Sequence, residues 1–233
     1  MKQPVLNRRQ TREVDRLAAN EYGMSSLVLM ENAGRGVADK LAELGVRGPV
    51  AVCCGKGNNA GDGFVLARHL DLRSIAVEVC VWAEADDLSE DAGSNFGILQ
   101  KSGIPLEVFG KRHDAARLAE CIARAEWIVD ALLGTGAQGE PRAPLDAVIA
   151  QLNESQRPIL AIDLPSGLDC DTGAAAAQTI RARHTCTFVA AKPGFFAPGA
   201  TAYTGQVHVL DIGAPRRLIE ECLRDVSMKE TGR

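Results

Sequence analysis

The sequence predicts an α/β protein built around a doubly wound parallel sheet. Short β-rich runs alternate with helical runs along most of the chain, which is typical of parallel strands joined by helices. The β-rich runs are almost continuously apolar, as expected of strands covered on both faces. Apolar residues make up 46% of the 233 residues and charged residues 24%, so the composition is that of a folded chain and excludes general disorder.

Two helical patterns precede the first strand. Residues 7–22 place Val14, Leu17 and Ala18 at helical spacing, and Asn7 with Gln10 fits a capping box. Residues 25–44 form the second pattern. Strands are then predicted at 50–54, 76–82, 106–109, 127–132, 159–163, 185–190 and 206–211, with helices at 61–72, 90–102, 114–125 and 144–152. The charged residues 216–233 fit either a frayed helix or an interface element.

Charge and cysteine content exclude several classes of protein. Lys and Arg number 26 against 30 Asp and Glu, a net charge of −4, whereas a protein that neutralises nucleic-acid phosphates is usually basic. The chain shows no apolar N-terminal segment and no long apolar run, so we expect a cytoplasmic protein without a secretory signal or membrane span. The seven cysteines contain no C-x-x-C pair and are predicted to be buried thiols. Cys170, in a polar stretch, is the candidate for a reactive thiol.

A glycine-rich segment follows the first predicted strand. Residues 55–63 read GKGNNAGDG, which fits a loose G-x-G-x-x-A dinucleotide fingerprint but not a P-loop. The helix that follows would direct free N–H groups at a phosphate. A plain strand-to-helix turn would explain the glycines alone, whereas Asn58, Asn59 and Asp62 crowded into one turn favour a bound ligand.

Polar residues also follow three later strands, where ligands bind in parallel α/β sheets. Asp130 precedes a second glycine-rich run at 134–139, Asp163 and Ser166 follow the fifth strand, and Lys192 follows the sixth. Taken singly, these residues also fit turn caps or a solvated lysine. Together they predict one crevice lined by oxygen atoms, which suit a hard cation better than zinc or iron.

The motifs in this order resemble the YjeF N-terminal domain family, the NAD(P)H-hydrate epimerases. The resemblance runs from about residue 8 to 215, and we treat residues 1–233 as one domain of this type. Bifunctional relatives carry a second, kinase-like dehydratase domain, for which we expect no room here. The matching segments are MENAG at 30–34, G-x-GNN-x-GDG at 55–63, DALLGTG at 130–136, D-x-PSGLD at 163–169 and KPG at 192–194.

The resemblance implies a three-layer αβα sandwich with a Rossmann-like, mostly parallel sheet, a homodimer, a K⁺ ion and a hydrated nicotinamide dinucleotide. Asn59, Asp130 and Ser166 would bind the potassium ion. The substrate-binding residues it implies are Asn58, Asn59, Ala60, Gly61, Asp62, Gly134, Thr135, Gly136, Ala137, Gln138, Gly139, Glu140 and Asp163. Ala60 stands where the family usually has glycine and would cost about 1 kcal/mol if that position needed positive φ. The stretch 137–139 also departs from the family's usual continuation.

The activity implied is metabolite repair: interconversion of the R and S forms of NADHX or NADPHX, in which a hydroxyl leaves and returns at C6 of the nicotinamide. We expect Asp163 to act as acid and then as base, with Lys192 orienting Asp163 or the water. A separate dehydratase would consume the S form. No nucleic-acid partner is expected.

Two other functions fit parts of the pattern. A nicotinamide-dependent dehydrogenase would use the glycine runs, with Glu84 near the second strand holding a ribose, but it leaves the Asn pair unexplained. A non-catalytic nucleotide-binding or scaffold module of the same fold would not need the polar set at Asn59, Asp130, Asp163 and Ser166.

Overall fold

Parallel strands form a seven-stranded sheet at the centre of the computed structural model, which describes residues 4–230, with side chains up to Arg224. The strand order is β3-β2-β1-β4-β5-β6-β7, and every neighbouring pair is parallel. The strands are β1 (Val50–Cys54), β2 (Val77–Val81), β3 (Leu106–Val108), β4 (Trp127–Ala131), β5 (Ile159–Ile162), β6 (His184–Phe188) and β7 (Gln206–Leu210).

Helices cover both faces of the sheet, as the apolar strands require. They are α1 (Arg8–Asn20), α2 (Ser26–Glu43), α3 (Asn58–Asp71), α4 (Glu90–Ser102), α5 (Ala115–Arg124), α6 (Leu145–Glu154), α7 (Thr201–Thr204) and α8 (Arg216–Glu230). Alternate strand residues point to opposite faces, so β4 directs Val129 and Ala131 into a core shared with α1–α4 and α8. Ile128 enters a second core with α5 and α6. The predicted three-layer αβα sandwich is therefore confirmed, with a sheet that is wholly rather than mostly parallel.

The reversal of the strand order at β1 determines where a ligand site can lie. From β1 the chain builds outward through β2 and β3, then returns to place β4 on the other side of β1. The segments after β1 and β4 therefore leave the sheet in opposite directions and open a crevice between them, which is where doubly wound folds bind ligands.

The N-terminal segment lies against this edge of the sheet. Val5 forms a parallel bridge with Ala191, and the Leu6 N–H donates to the Ala191 carbonyl at 3.0 Å. Helix α1 then begins at the capping box that Asn7 and Gln10 were predicted to form. The Gln10 Nε2 also donates to the Cys222 carbonyl at 2.9 Å, which ties α1 to α8.

Several local predictions are corrected. Helix α3 begins at Asn58 rather than residue 61, because the Gly57 carbonyl accepts the Ala60 and Gly61 N–H groups. Ala60 thus has a helical conformation, and the expected cost of positive φ does not arise. The charged tail is helical from Arg216 to Glu230, with Leu218 buried, and residues 231–233 lie outside the described residues.

The cysteines are buried thiols, as predicted, and this includes Cys170. Burial raises the pKa of Cys170 to about 12, which excludes the alternative of a reactive thiol there. Over residues 4–230, none of the helices is both long enough and apolar enough to cross a bilayer.

Replacing Gly34 by alanine is expected to lower the free energy of unfolding by about 1–3 kcal/mol, because the added Cβ overpacks the contact between α2 and α3. That Cβ would lie 2.5 Å from Val65 Cβ and 2.6 Å from the Asp62 carbonyl oxygen. Urea unfolding followed by circular dichroism measures the change. Gly36→Ala on the same helix is the control: its Cβ would first meet Leu210 Cδ1 at 3.5 Å, so stability should hold or rise. Equal losses in the two variants would contradict the packing argument.

Candidate active site

The first turn of α3 brings the asparagine pair to the crevice. Asn59 is buried, and its Nδ2 donates to the Leu133 carbonyl at 3.1 Å. Its Oδ1 is also buried but has no hydrogen-bond partner. Asn58 is exposed, and its Oδ1 accepts a hydrogen bond from the Ser89 hydroxyl at 2.7 Å. The two asparagines therefore face different surroundings, and Asn59 is the one with an unsatisfied oxygen.

Asp130 lies fully buried in β4 and is held by the segment that follows β5. Its Oδ1 accepts from the Ser166 hydroxyl at 2.6 Å and from the Leu132 N–H at 3.1 Å, and its Oδ2 accepts from the Ser166 N–H at 2.8 Å. The Leu133 N–H donates in turn to the Ser166 Oγ at 2.9 Å. The structure thus gathers Asn59, Asp130 and Ser166 around the backbone of Leu133.

Burial raises the pKa of Asp130 to about 6, although the Ser166 hydroxyl and the two N–H groups oppose that rise. An ionised carboxylate in this position lacks enough opposite charge, and the Asn59 Oδ1 beside it lacks a donor. One carboxylate with amide and hydroxyl oxygens is a donor set that suits a hard cation, and a single carboxylate balances a single positive charge. The residues present therefore fit a monovalent cation such as potassium.

A second cluster forms where β5 and β6 end. The Lys192 ammonium is fully buried, 3.6 Å from the Asp163 Oδ1 and 3.3–3.4 Å from the Phe188 and Ala190 carbonyl oxygens. Asp163 Oδ2 accepts from the Thr135 N–H at 3.2 Å. The interpretation of Lys192 as a solvated lysine is excluded, because the side chain has no exposed surface.

The backbone at this cluster is strained. Asp163 has φ +63° and Val189 has φ +66°, which are unfavourable for non-glycine residues and outright outliers for a β-branched valine. Such conformations persist only where surrounding contacts hold them, and they concentrate at functional sites. Here they follow directly after β5 and β6 and turn the chain so that Asp163 meets Lys192.

The glycine-rich loop 134–140 extends from the cluster over an open cavity. The cavity measures about 320 Å³ and lies between this loop and residues 164–176. It includes Gly134, Ala137, Gln138, Gly139 and Glu140 in its wall but not Asp163 or Asn59. The Glu140 carboxylate accepts from the Ala177 N–H at 2.9 Å, so the end of the loop is tied to the far wall.

Two further carboxylates interact electrostatically with Asp163. Asp62 in α3 is half-buried, and burial followed by the charges of Asp163 and Asp15 raises its pKa well above the usual range. Asp15 in α1 is exposed, yet the surrounding protein and the Asp163 charge raise its pKa to about 6. Asp62 was predicted from its loop. Asp15 was missed, because an acidic residue in an amphipathic helix is indistinguishable from a solvated one.

Glu84, which a dehydrogenase would use to hold a ribose, lies elsewhere. It is exposed, and its carboxylate packs over Gly110 after β3. Among residues 4–230, no group of three His, Cys, Asp or Glu side chains is arranged to hold a metal ion. Of these four residue types, only Asp130 belongs to the group of Asn59, Asp130 and Ser166 described above.

The fold and site together define a Rossmann-like α/β protein with an oxygen-lined crevice at its topological switch point. The chain belongs to the family described as YjeF-related protein N-terminus, whose model matches residues 26–194.

Curated relatives cover nearly the whole chain. The NAD(P)H-hydrate epimerase of Pirellula staleyi is 44% identical over 219 residues, which span 94% of this chain and 96% of that protein. A protein of the same name from Rhodopirellula baltica is 41% identical over 94% of this chain and 88% of its own length. The bifunctional NAD(P)H-hydrate repair enzyme Nnr of Moorella thermoacetica is 40% identical over 212 residues, 40% of its length.

Among solved structures, the yeast protein YNL200c matches with a TM-score of 0.77 at 24% identity. The match covers 94% of this chain and 93% of the yeast chain. At this identity the likeness supports the fold.

Replacing Lys192 by methionine is expected to lower the free energy of unfolding by about 3–5 kcal/mol, because Asp163 loses its buried counter-charge. Adding Asp163→Asn should restore part of that loss. Guanidinium unfolding of both single variants and the double variant measures the coupling. The control pair Asp87 and Lys111, 3.0 Å apart at the surface, should give little change. Losses of stability at Asp163 and Lys192 that simply add would show that the two charges are not energetically coupled.

Proposed function

We propose that the chain is an NAD(P)H-hydrate epimerase that interconverts the R and S forms of NADHX or NADPHX. One observation carries the proposal most directly. The Asp163 carboxylate lies beside the buried Lys192 ammonium at the crevice. Two curated relatives that match this chain over most of their length are named NAD(P)H-hydrate epimerase. A purely structural domain gains nothing from burying an ammonium there, since the desolvation of both charges opposes folding.

The dinucleotide would lie along the crevice with its phosphates near loop 134–140 and the first turn of α3. Both segments contain glycines, which allow a ligand to approach the backbone closely, and the α3 N-terminus adds the positive end of a helix dipole. The Thr135 N–H donates to the Asp163 carboxylate, so the loop lies next to the acidic group. The hydrated nicotinamide would then face Asp163.

The proposed chemistry needs one proton to move at the C6 oxygen. The lone pair of the ring nitrogen can expel the C6 hydroxyl and leave a cation, and water can then add to the other face. Asp163, when protonated, donates to a hydroxyl that leaves from its side of the ring, and as carboxylate it accepts from water that adds on that side. Lys192 and the Thr135 N–H hold its two oxygens in place. A positioned acid–base group contributes about 10²–10⁴-fold to such a step.

Asn59, Asp130 and Ser166 would hold the potassium ion. When bound, the ion supplies positive charge that balances Asp130 and fixes the surrounding backbone. These residues join the segments after β1, β4 and β5 through Leu133, so holding them still keeps the substrate-binding segments in position. We assign the ion an organising role.

The setting of the enzyme follows from the same proposal. We propose that a dehydratase acting on the S form is its functional partner, and the bifunctional NAD(P)H-hydrate repair enzyme of Moorella thermoacetica supports this proposal. We further propose that it works in the cytoplasm as a homodimer.

Replacing Asp163 by asparagine is expected to lower epimerase activity by about 10²–10⁴-fold, because asparagine neither donates nor accepts the proton at C6. The assay supplies mixed R and S NADHX with a dehydratase specific for the S form and follows loss of the R form. Asp87→Asn, which removes a carboxylate from a surface lysine pair, should leave the rate unchanged. An Asp163→Asn rate within threefold of the unmodified protein would remove Asp163 from the mechanism. No acceleration by the folded unmodified protein would favour the non-catalytic binding module.

Exchanging potassium for tetramethylammonium is expected to slow the reaction and to lower the thermal midpoint, because the oxygens of Asn59 and Asp130 lose their cation. Potassium should restore both values in a saturable manner. Asp130→Asn should abolish the potassium response of the midpoint. Ser94→Ala, which removes an exposed hydroxyl from α4, should preserve it. Identical midpoints in the two salts would argue against a bound potassium ion.

A further inference from the structure

Helix α1 forms a wall of the crevice. It is anchored at its start, where the Arg8 guanidinium pairs with Asp169 at 2.7 Å and the Arg8 N–H donates to Asp171 at 2.8 Å. One turn later, the Arg12 Nη2 lies 3.9 Å from the position that a Cβ on Gly136 would occupy. These contacts reach the segments after β5 and β4, while Leu6 reaches the segment after β6. The helix therefore crosses the carboxyl edge of the sheet above the proposed substrate.

The face of α1 that crosses this edge carries a carboxylate. Arg8, Thr11, Arg12 and Asp15 follow one another at helical spacing and share a face. The Thr11 Oγ1 is buried without a hydrogen-bond partner. Asp15 is exposed but interacts electrostatically with Asp163, Asp62 and Lys192. Asp15 therefore lies on the helix face that Arg8 and Arg12 turn toward the crevice, while Asp163 approaches from the sheet.

Inversion at C6 places a demand that one acid does not meet. The hydroxyl leaves from one face of the nicotinamide ring, and water must add to the opposite face. A carboxyl fixed beside one face is within reach of the oxygen on that face only, because proton transfer needs a heavy-atom distance of about 2.6–3.2 Å. Asp163 is fixed by Lys192 and the Thr135 N–H. The second face needs its own proton donor and acceptor.

We propose that Asp15 is a second catalytic residue, which serves the face of the nicotinamide ring opposite to Asp163. This assignment rests on the proposed epimerase function. In one direction, protonated Asp163 gives its proton to the hydroxyl, the C6–O bond breaks, and the ring nitrogen lone pair forms the iminium bond. Water then forms the new C6–O bond and gives its proton to the Asp15 carboxylate. The reverse direction exchanges the two roles.

The two proton transfers need no further reactant. One carboxyl loses a proton and the other gains one, and exchange with solvent restores the starting form. Asp15 is exposed, so this exchange has a path. The rise in the pKa of Asp15 to about 6, caused by burial and then by Asp163, places both protonation states within reach near neutral pH.

The test separates inversion from oxygen exchange. Purified R and S epimers of NADHX are incubated in H₂¹⁸O with the full-length protein and then separated by chromatography. Mass spectrometry measures the ¹⁸O content of each epimer. With Asp15→Asn, inversion should fall about 10²–10⁴-fold. The epimer whose hydroxyl faces Asp163 should still take up ¹⁸O faster than without protein, since Asp163 alone can release the hydroxyl and return water to the same face. Asp163→Asn should show the converse, with exchange kept in the other epimer.

Controls distinguish the ways in which this assignment can fail. Glu13→Gln changes a carboxylate on α1 that pairs with Arg16, and it should leave inversion and exchange unchanged. If Asp15→Asn keeps inversion, or if it loses inversion and exchange together, Asp15 does not serve a separate face and the assignment is overturned. If the unmodified protein neither inverts nor exchanges either epimer, the proposed epimerase function fails first.

Folding of the Asp15→Asn variant provides a further check. Because the surrounding protein and the Asp163 charge raise the pKa of Asp15, ionised Asp15 does not stabilise the fold at pH 7. Its thermal midpoint should therefore equal or exceed that of the unmodified protein. A lower midpoint together with loss of both reactions would assign Asp15 a structural role instead.

Discussion

The buried Lys192 ammonium is the constraint on which the arrangement of the site depends. A lysine without exposed surface needs a counter-charge and oxygen partners, and the chain supplies them from Asp163 and two carbonyl groups after β6. Asp163 and Val189, which adjoin this charge pair, both have positive φ. The loop after β4 comes close enough for the Thr135 N–H to donate to Asp163. Three strand ends are thereby fixed around one charge pair.

Much of this fold could be predicted from sequence because its signals are local. Apolar runs of strand length alternating with helical periodicity required a parallel sheet with two covered faces, and Asn7 with Gln10 marked a helix start that the structure confirms. Strand ends and the start of α3 were placed less accurately, because hydrogen bonds to Gly57 extend the helix backward through Asn58. Residues 216–230 gave no decisive pattern, since their helix depends on packing against α1.

The candidate site was predictable where residues follow strands and not where they come from elsewhere. Topology alone places the ends of β1, β4, β5 and β6 at one edge, so Asn59, Asp130, Asp163 and Lys192 could be expected to meet there. No sequence rule indicated that Lys192 would be fully buried. Asp15 contributes through the course of α1 over the sheet edge, a tertiary feature with no local signature.

The bridge between Val5 and Ala191 shows that the folding unit includes residues before the segment matched by the family model. The family match spans residues 26–194, but the chain before it supplies α1 and the chain after it supplies β7 and α8, which pack into the same core. A fragment trimmed to the matched span would leave β6 as an unprotected sheet edge, a surface prone to aggregation. It would also lose one wall of the crevice. Boundaries for expression or domain grafting should therefore follow the strand order rather than the span that the family model matches.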